Sequence, residues 1–300
     1  MNRFDLPVSR RGFLAATSAL LAAQACGQER NEAAQHEICV FTKPFNSLSF
    51  DELADKVAEL GFAGIEAPIR RGGHIEPEKV EDRLPALVEA LAQRKLDITV
   101  LTSDVNDPDD PLTRRVLRTA ATLGIKRYRM KYLKYELDQP IVEQIEAWKP
   151  QLRDLAAMNH DFGIQGLYQN HAGTSYLGAA LWDIGQALEG IPVSDIGVAY
   201  DIRHATVEGA TSWPVTFDMI RPHVAAVYVK DFQWNGKQVE NVPLGQGNVD
   251  PQFFQRLADS EFDGPISLHE EYLDHRKPEL VPEHWAAIKK DLAVLRARLR

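Results

Sequence analysis

The sequence predicts a single (β/α)8 barrel, the α/β fold known as the TIM barrel, over residues 37–300. From residue 37 onward, eight short runs rich in β-branched and aromatic residues alternate with helical patterns. A chain of 300 residues with 44% hydrophobic and 26% charged residues can bury one large core. A doubly wound open sheet usually has a glycine-rich phosphate turn after its first strand. Here that turn reads Thr42-Lys43-Pro44-Phe45, which favours the closed barrel.

Strands and helices follow each other in order along the chain. The predicted strands are 38–42, 64–68, 97–102, 127–132, 165–170, 196–201, 225–230 and 265–269. The helices that follow the second to eighth strands are predicted at about 78–94, 112–123, 141–161, 177–188, 213–219, 251–260 and 282–299.

The first helix shows the rules used for all of them. Ser49 and Glu52 have the spacing of a capping box, which satisfies the first backbone N–H groups of a helix. Leu53 and Val57 lie on one face of that helix, and Gly61 is a typical residue for its end. The sequence therefore predicts a helix between Ser49 and Gly61.

The N-terminus resembles a twin-arginine export signal. Ser9-Arg10-Arg11-Gly12-Phe13-Leu14 precedes an uncharged, alanine-rich stretch that ends at Cys26. We predict a signal peptide at 1–26 and a polar linker at 27–36. Ala23-Gln24-Ala25 suits cleavage to a soluble form, whereas Cys26 suits a lipid anchor, so the protein is expected to be periplasmic or lipid-anchored.

Composition excludes several classes of protein. The formal net charge of −9 argues against nucleic acid as a partner, because an acidic surface repels phosphate backbones. The two cysteines, Cys26 and Cys39, cannot form a disulfide framework if the chain is cut near residue 26. Beyond the N-terminus no apolar run reaches the ~18 residues of a membrane span. The sequence leaves the oligomeric state open, and a homo-oligomer is compatible with it.

Polar residues stand at the carboxyl end of nearly every predicted strand. They are Lys43, Glu66, Asp104, Asn106, Arg129, Lys131, Gln169, Asn170, His171, Asp201, Arg203, His204, Tyr228, Lys230, Asp231, His269, Glu270 and Glu271. In a parallel barrel these ends meet at one mouth, so residues far apart in the sequence converge there. The sequence therefore predicts a site for a small sugar-like substrate at this mouth.

Chemistry next to a carbonyl needs a base, an acid and a positive group for the enediolate. The candidates for these catalytic roles are His171, Lys230, His269 and Glu66. The candidates for substrate binding are Arg129, Lys131, Asn170, Arg203, His204 and Glu271. Among these, the two arginines could hold a carboxylate or a phosphate.

Six blocks of the sequence, in order, resemble those of the xylose-isomerase-like barrels. They are Gly61-Phe62-Ala63-Gly64-Ile65-Glu66, Tyr168-Gln169-Asn170-His171, Tyr200-Asp201-Ile202-Arg203-His204-Ala205, Val227-Tyr228-Val229-Lys230-Asp231, Pro243-Leu244-Gly245-Gln246-Gly247 and Gly264-Pro265-Ile266-Ser267-Leu268-His269. The resemblance covers about residues 38–295. It implies a barrel enzyme among sugar isomerases, epimerases, dehydratases and an endonuclease branch.

The resemblance also implies a metal site, from which this chain departs. The epimerase branch holds a divalent ion by Glu, Asp, His and Glu on strands five to eight. Asp201 matches the Asp, but Gln169, Tyr228 and His269 stand where the other three ligands would be. The resemblance makes His204 a substrate contact. Two alternatives remain open: Asp201, Gln169 and His269 hold Mn, Mg, Zn or Co, or no cofactor binds and the catalytic candidates move protons alone.

The function that the sequence predicts is proton transfer next to the carbonyl of a small sugar-like substrate, as in a sugar or sugar phosphate isomerase or epimerase. One alternative is a lyase or dehydratase acting on an oxidised sugar, because both reactions begin with the same proton removal. Another is a sugar-binding protein whose metal site has decayed. An endonuclease fits poorly, because the chain is acidic and lacks the strand-seven histidine.

Overall fold

The computed structural model describes residues 36–300, in which eight parallel strands close into a barrel. The barrel strands are β1 (Ile38–Phe41), β2 (Gly64–Pro68), β3 (Asp97–Thr102), β4 (Arg127–Arg129), β5 (Gln165–Gln169), β6 (Ile196–Asp201), β7 (Val224–Val229) and β10 (Ile266–Leu268). An antiparallel hairpin, β8 (Asp231–Asn235) and β9 (Gln238–Val242), follows β7. The barrel closes where β1 pairs in parallel with β10, with Ile38 opposite Ile266. The predicted (β/α)8 TIM barrel is confirmed.

Helices lie between the strands. They are α1 (Phe50–Leu60), α2 (Val80–Ala92), α3 (Pro111–Thr122), α4 (Ile141–Phe162), α5 (Trp182–Ala187), α6 (Ile202–Gly209), α7 (Trp213–Ile220), α8 (Gln252–Ala258) and α9 (Val281–Arg298). The predicted capping box is present in α1: Ser49 Oγ accepts from Glu52 N, and Glu52 Oε2 accepts from Ser49 N at 2.9 Å. The helix ends at Gly61, whose φ of 74° is easy only for glycine.

The interior of the barrel is built in layers, because alternate side chains of each strand point inward. A lower, apolar layer consists of Val100, Leu167, Ala199, Ala226 and Tyr228. Two residues further along, the inward positions carry Thr102 on β3, Gln169 on β5 and Asp201 on β6, and Lys230 follows Tyr228 just after β7 ends. The interior thus changes from apolar to charged within two residues, at the carboxyl ends of the strands.

The main apolar core lies between the outer face of the barrel and the helices. Large rings fill it: Tyr200 packs edge-on against Phe217 with ring centres 5.0 Å apart, and Phe217 packs against Phe253 at 5.4 Å. These contacts hold α7 and α8 against β6. The barrel strands are therefore fixed from outside, and their inward side chains are left for the site.

Two local predictions were wrong, and two elements were not predicted. The fourth strand ends at Arg129 and not at residue 132, and the helix predicted at 177–188 is present only at α5. Helix α6 directly follows β6, because the carboxylate of Asp201 caps it by accepting from His204 N at 3.1 Å. The hairpin at 231–242 was not predicted, since its strands are too polar to show an apolar alternation.

None of the helices within residues 36–300 is both long and apolar enough to cross a membrane. The predicted signal peptide at 1–26 and residues 27–35 of the predicted linker lie outside the described residues.

Candidate active site at the mouth of the barrel

Charged and polar side chains are buried together at the carboxyl ends of the strands. Six of them, each with at most 6% of its surface exposed, are Glu66, Arg129, Gln169, Asp201, Lys230 and His269. They come from β2, β4, β5, β6 and the segments that follow β7 and β10. Burying ionised groups is costly unless they are paired. Their partners therefore define the site.

The buried side chains form one hydrogen-bonded network, and Glu66 is the central residue of the half that includes Arg129 and His269. Its carboxylate accepts from Thr102 Oγ1 at 2.6 Å and from Ser267 Oγ at 2.7 Å, and its Oε2 lies 2.8 Å from His269 Nε2. Arg129 Nε lies 3.7 Å from Oε1. Burial would raise the pKa of Glu66, but His269, Arg129 and the hydroxyl of Thr102 outweigh burial and lower it to about 2. Glu66 is thus an ionised carboxylate at any ordinary pH.

Gln169 links the two halves of the network. Its Oε1 accepts from Arg129 Nη1 at 2.7 Å and from the hydroxyl of Tyr132 at 2.6 Å. Its Nε2 donates to Asp201 Oδ2 at 2.8 Å. The orientation of the amide follows from these partners, since only the oxygen can accept from a guanidinium. An amide cannot titrate here, so Gln169 orders the site and carries no proton.

Lys230 is the cation in the other half of this network, which includes Asp201 and Glu271. Its Nζ lies 2.8 Å from Glu271 Oε2 and 3.2 Å from Asp201 Oδ2. Burial alone would lower the pKa of Lys230, but the two carboxylates outweigh burial and raise it. Burial likewise opposes ionisation of Glu271, yet Lys230 and His269 hold its pKa well below the ordinary value. Both side chains are therefore charged, and that of Glu271 is 26% exposed.

Two histidines face each other beside this pair. The rings of His171 and His204 lie 4.1 Å apart, and Tyr132 and Tyr176 flank His171 at 4.8 and 4.3 Å. Burial lowers the pKa of both histidines, so both are neutral at pH 7. His171 Nδ1 lies 2.8 Å from the carbonyl oxygen of Ala172 and must donate to it, which leaves Nε2 as a proton acceptor.

Within residues 36–300, the Nε2 atom of His204 has no hydrogen-bond partner. This atom lies 3.5 Å from Asp201 Oδ2 without forming a hydrogen bond, and it is buried. Its Nδ1 lies 3.0 Å from Arg203 Nη1, and the guanidinium of Arg203 sits over the ring of Phe232 at 5.6 Å. Arg203 and His204, which were both predicted to bind substrate, therefore border the mouth.

Asn170 and Lys131, two predicted substrate-binding residues, lie away from this cluster. The side chain of Asn170 accepts from Asp201 N at 2.7 Å and donates to Asp201 O at 3.0 Å, so it ties β5 to β6. Lys131 is exposed and lines a separate depression with Arg71 and Asp104. Lys131 would point inward beside Arg129 if the fourth strand continued to residue 131. The strand ends at Arg129, so the alternation of side chains stops there.

Several residues of the site were missed by the sequence reasoning. They are Thr102, Tyr132 and Ser267, which all bond to Glu66 or Gln169. Ser267 could have been found, because it lies two positions before His269 on the same face of a strand. Tyr132 could not, because the chain leaves the strand before it and its direction is set by the loop.

Asp231 organises the loop that borders the mouth after β9. Its carboxylate accepts from four backbone N–H groups, including Gly245 N at 2.9 Å, Gly247 N at 3.1 Å and Val249 N at 3.0 Å. A Cβ on Gly247 would lie 2.2 Å from Phe232 O, so only glycine fits there. The Gly-x-Gly pair is therefore a tight loop wrapped around a carboxylate.

The side-chain atoms that would bind the implied metal already form hydrogen bonds or ion pairs with other side chains of the site. Asp201 Oδ2 accepts from Gln169 and faces the ammonium group of Lys230, while His269 Nε2 is bonded to Glu66. Tyr228 is a poor ligand for a divalent ion beside an imidazole. No group of three or more His, Cys, Asp or Glu side chains within residues 36–300 is placed to hold a metal ion. The residues present do not fit a divalent metal.

Comparison with known proteins gives a family and a set of similar folds. A family model described as xylose isomerase-like TIM barrel matches residues 54–298. No curated protein matches the chain by sequence.

Three solved structures are similar in fold. A putative xylose isomerase from Rhodospirillum rubrum is 16% identical, with 86% of this chain and 99% of that chain covered and a TM-score of 0.69. A 3-keto-D-glucoside 4-epimerase from E. coli is 15% identical, with 88% and 100% covered and a TM-score of 0.66. A probable 3-DHS dehydratase from Bacillus anthracis is 16% identical, with 84% and 98% covered and a TM-score of 0.61.

Proposed function

Since this chain belongs to the xylose isomerase-like TIM barrel family, we propose that it isomerises or epimerises a small sugar-like substrate by moving a proton next to a carbonyl. The observation that carries this proposal is the arrangement around Lys230. The buried ammonium lies 2.8 Å from the partly exposed carboxylate of Glu271, and the neutral imidazole of His171 lies beside this pair on the segment that follows β5.

Lys230 supplies the positive charge that an enediolate needs. Its ammonium group is fixed by two carboxylates and only 6% of its side chain is exposed, so it is oriented before the substrate arrives. A preorganised charge in a water-poor site stabilises developing negative charge more than the same charge in water. The carbonyl oxygen of the substrate is therefore proposed to bind at Lys230 Nζ.

His171 and Glu271 are proposed to carry the proton. His171 follows β5 and Glu271 follows β10, so they approach a bound substrate from different sides. Neutral His171 offers Nε2 as a base, and the ionised Glu271 offers a second acceptor. An epimerisation balances when one of these groups removes the proton from one face of the carbon and the other, after taking a proton from water, returns one to the opposite face.

His269 and Glu66 are proposed to act by positioning. Neither side chain has any exposed surface, and together they anchor Arg129, which in turn orients Gln169. The Nδ1 atom of His269 is buried and has no hydrogen-bond partner among residues 36–300. Their replacement is expected to disorder the site more than to remove a single proton-transfer step.

Solvent exchange tests the proposed reaction. The protein is incubated in deuterated water with ketoses, keto-glycosides and their uronate and phosphate forms, and deuterium in the recovered sugar is measured by mass spectrometry. We expect incorporation into at least one substrate, its loss in Lys230→Met, and no change in Lys126→Met, because Lys126 lies at the amino end of β4, opposite the mouth. No incorporation across the panel would count decisively against the proposal.

A lyase or dehydratase acting on a keto sugar is the second candidate. It begins with the same proton removal, and the site also offers an acid for a departing hydroxyl in protonated His171. The two reactions differ in the product, which loses water only in the second. A third outcome, a ligand-dependent rise in melting temperature without any turnover, would indicate a sugar-binding protein.

The proposed mechanism assigns the cationic role to Lys230, so activity should not depend on an added metal. Elemental analysis of protein purified without chelator, with activity measured before and after dialysis against EDTA, tests this point. A stoichiometric transition metal whose removal abolishes turnover would overturn the assignment.

Export by the twin-arginine route is proposed from the sequence alone. Replacing both Arg10 and Arg11 by lysine should trap the protein in the cytoplasm, whereas the unchanged chain should appear in the periplasmic or membrane fraction. Mass analysis of the mature N-terminus would show whether Cys26 carries lipid.

A further inference from the structure

Cationic side chains crowd one side of the mouth without carboxylate partners. Lys43 follows β1 and Arg70 follows β2, its neighbour in the barrel, and both side chains are partly buried. Neither has a carboxylate oxygen of residues 36–300 within 4.0 Å, whereas buried Arg129 and Lys230 both do. Partly buried charges without a counter-ion are uncommon, because they lose hydration and gain little in return.

These cations also repel one another. Burial lowers the pKa of Lys43, and the positive charges of Arg70, Lys230 and Arg129 lower it further against the opposing effect of Glu271. Burial lowers the pKa of Arg70 as well, and Arg129 adds to that effect against the opposing effects of Glu66, Tyr132 and Asp104. No carboxylate oxygen of residues 36–300 lies within 4.0 Å of either cation, so these carboxylates and Glu271 offset the repulsion only from a distance.

The surroundings of Arg70 keep this cluster in place. Its guanidinium lies over the ring of Phe41 at 6.0 Å, and Arg129 lies over the same ring at 5.3 Å. His74, whose pKa burial lowers to about 4, is neutral and bonds Thr42 Oγ1 at 2.9 Å, so it adds no charge. The guanidinium is thus held at the mouth and is not turned to solvent as a surface arginine would be.

We propose that Lys43 and Arg70 bind an anionic group of the substrate, a carboxylate or a phosphate, so that the protein acts on an acidic sugar. This inference rests on the proposed function and names the substrate class for the same site. Lys43 lies near Glu271, and Glu271 bonds Lys230, so the anionic group would bind on the β1–β2 side of the proposed carbonyl position. A charged group bound there would fix which end of the sugar faces Lys230.

Matched ligands test the inference without any turnover. D-glucose, D-glucuronate and D-glucose 6-phosphate share a ring and differ in the charged group, and galactose with galacturonate forms a second pair. We expect calorimetry and melting shifts to show the acid bound at least about tenfold tighter than its neutral partner, with an affinity that falls as salt is raised. The preferred acid, carboxylate or phosphate, identifies the group.

Variants locate the binding group. Arg70→Met and Lys43→Met should each weaken binding of the acid by about tenfold or more and leave the neutral sugar unchanged. Arg71→Met is the matched control, because Arg71 is the next residue, is exposed and lines a different depression. Folding of each variant is checked by its melting temperature.

The results separate this inference from the proposed reaction. Equal affinity for acids and neutral sugars, no binding of any acid, or equal weakening by Arg70→Met and Arg71→Met would overturn the inference. Deuterium exchange into neutral sugars alone would do so while the proposed reaction stands. Selective binding of acids without any exchange would support the inference and reject the reaction.

Discussion

The replacement of Glu66 by glutamine gives the sharpest test of the buried network. The variant keeps the size of the side chain and removes its charge. The pKa of Glu66 is lowered from 4.5 to about 2 in the folded protein, and this difference corresponds to about 3 kcal/mol of stability near pH 7. Loss of one partner from a buried ion pair has a cost of the same order, about 3–5 kcal/mol.

The sign of the pH dependence follows from the direction of the shift. A carboxyl whose pKa is lowered by folding contributes its full stability above pH 4.5 and loses it as the pH falls toward 2. Glutamine does not titrate, so the difference in unfolding free energy between the two proteins should shrink as the pH falls. Between pH 7 and pH 3 it should decrease by about 2 kcal/mol.

Urea unfolding followed by tryptophan fluorescence at pH 7, 5 and 3 measures this difference. Glu59→Gln is the control, because Glu59 is an exposed carboxylate paired only with Lys56 and its loss should leave the unfolding midpoint unchanged. A difference between wild type and Glu66→Gln that is below about 1 kcal/mol at pH 7, or that does not change with pH, would refute the reasoning.

Three further outcomes are expected. Lys230→Met should lower kcat by about 100-fold to 1,000-fold when turnover is measured well below the melting temperature of the variant, which the loss of the partner of Asp201 and Glu271 also lowers; unchanged turnover would contradict the role of its charge. His171→Gln should remove the acidic limb of the kcat/KM profile, because the neutral imidazole is lost as the pH falls through a pKa that burial holds below 6.5; a limb that persists would assign the base elsewhere. Gly247→Ala should lower stability by about 1–3 kcal/mol, since its Cβ would meet Phe232 O at 2.2 Å, and an unchanged melting temperature would contradict the fit of that loop.

Much of the site could be predicted from alternation within strands. Gln169 and His171 share one face, so Asn170 between them must point the other way, and its side chain does bond the backbone of Asp201. The same rule failed for Lys131, which follows the end of β4 at Arg129. Asn170 and His171 also follow the end of their strand, so beyond a strand the rule can hold, as after β5, or fail, as after β4.

The hydrogen-bond partners could not be predicted in this way. The sequence placed Asp201 at the mouth, but its two roles, capping α6 through Oδ1 and bonding Gln169 through Oδ2, depend on distances of a few tenths of an ångström. Asp231 was grouped with the polar residues of the mouth, yet four backbone N–H groups occupy its carboxylate. Side chains of the same type thus divide into structural and site residues only once the loops are placed.

The amino-acid sequence by itself determined the eightfold alternation of strands and helices, the closed barrel and the end at which polar side chains collect. These depend on local periodicity and on the parallel direction of the strands, which neighbouring residues encode. Only the tertiary structure decided that Glu66 would meet His269, 203 residues away, and that Lys230 would lie against Asp201. The physical reason is that closing the barrel, and not any local pattern, sets which inward side chains come within hydrogen-bonding distance of each other.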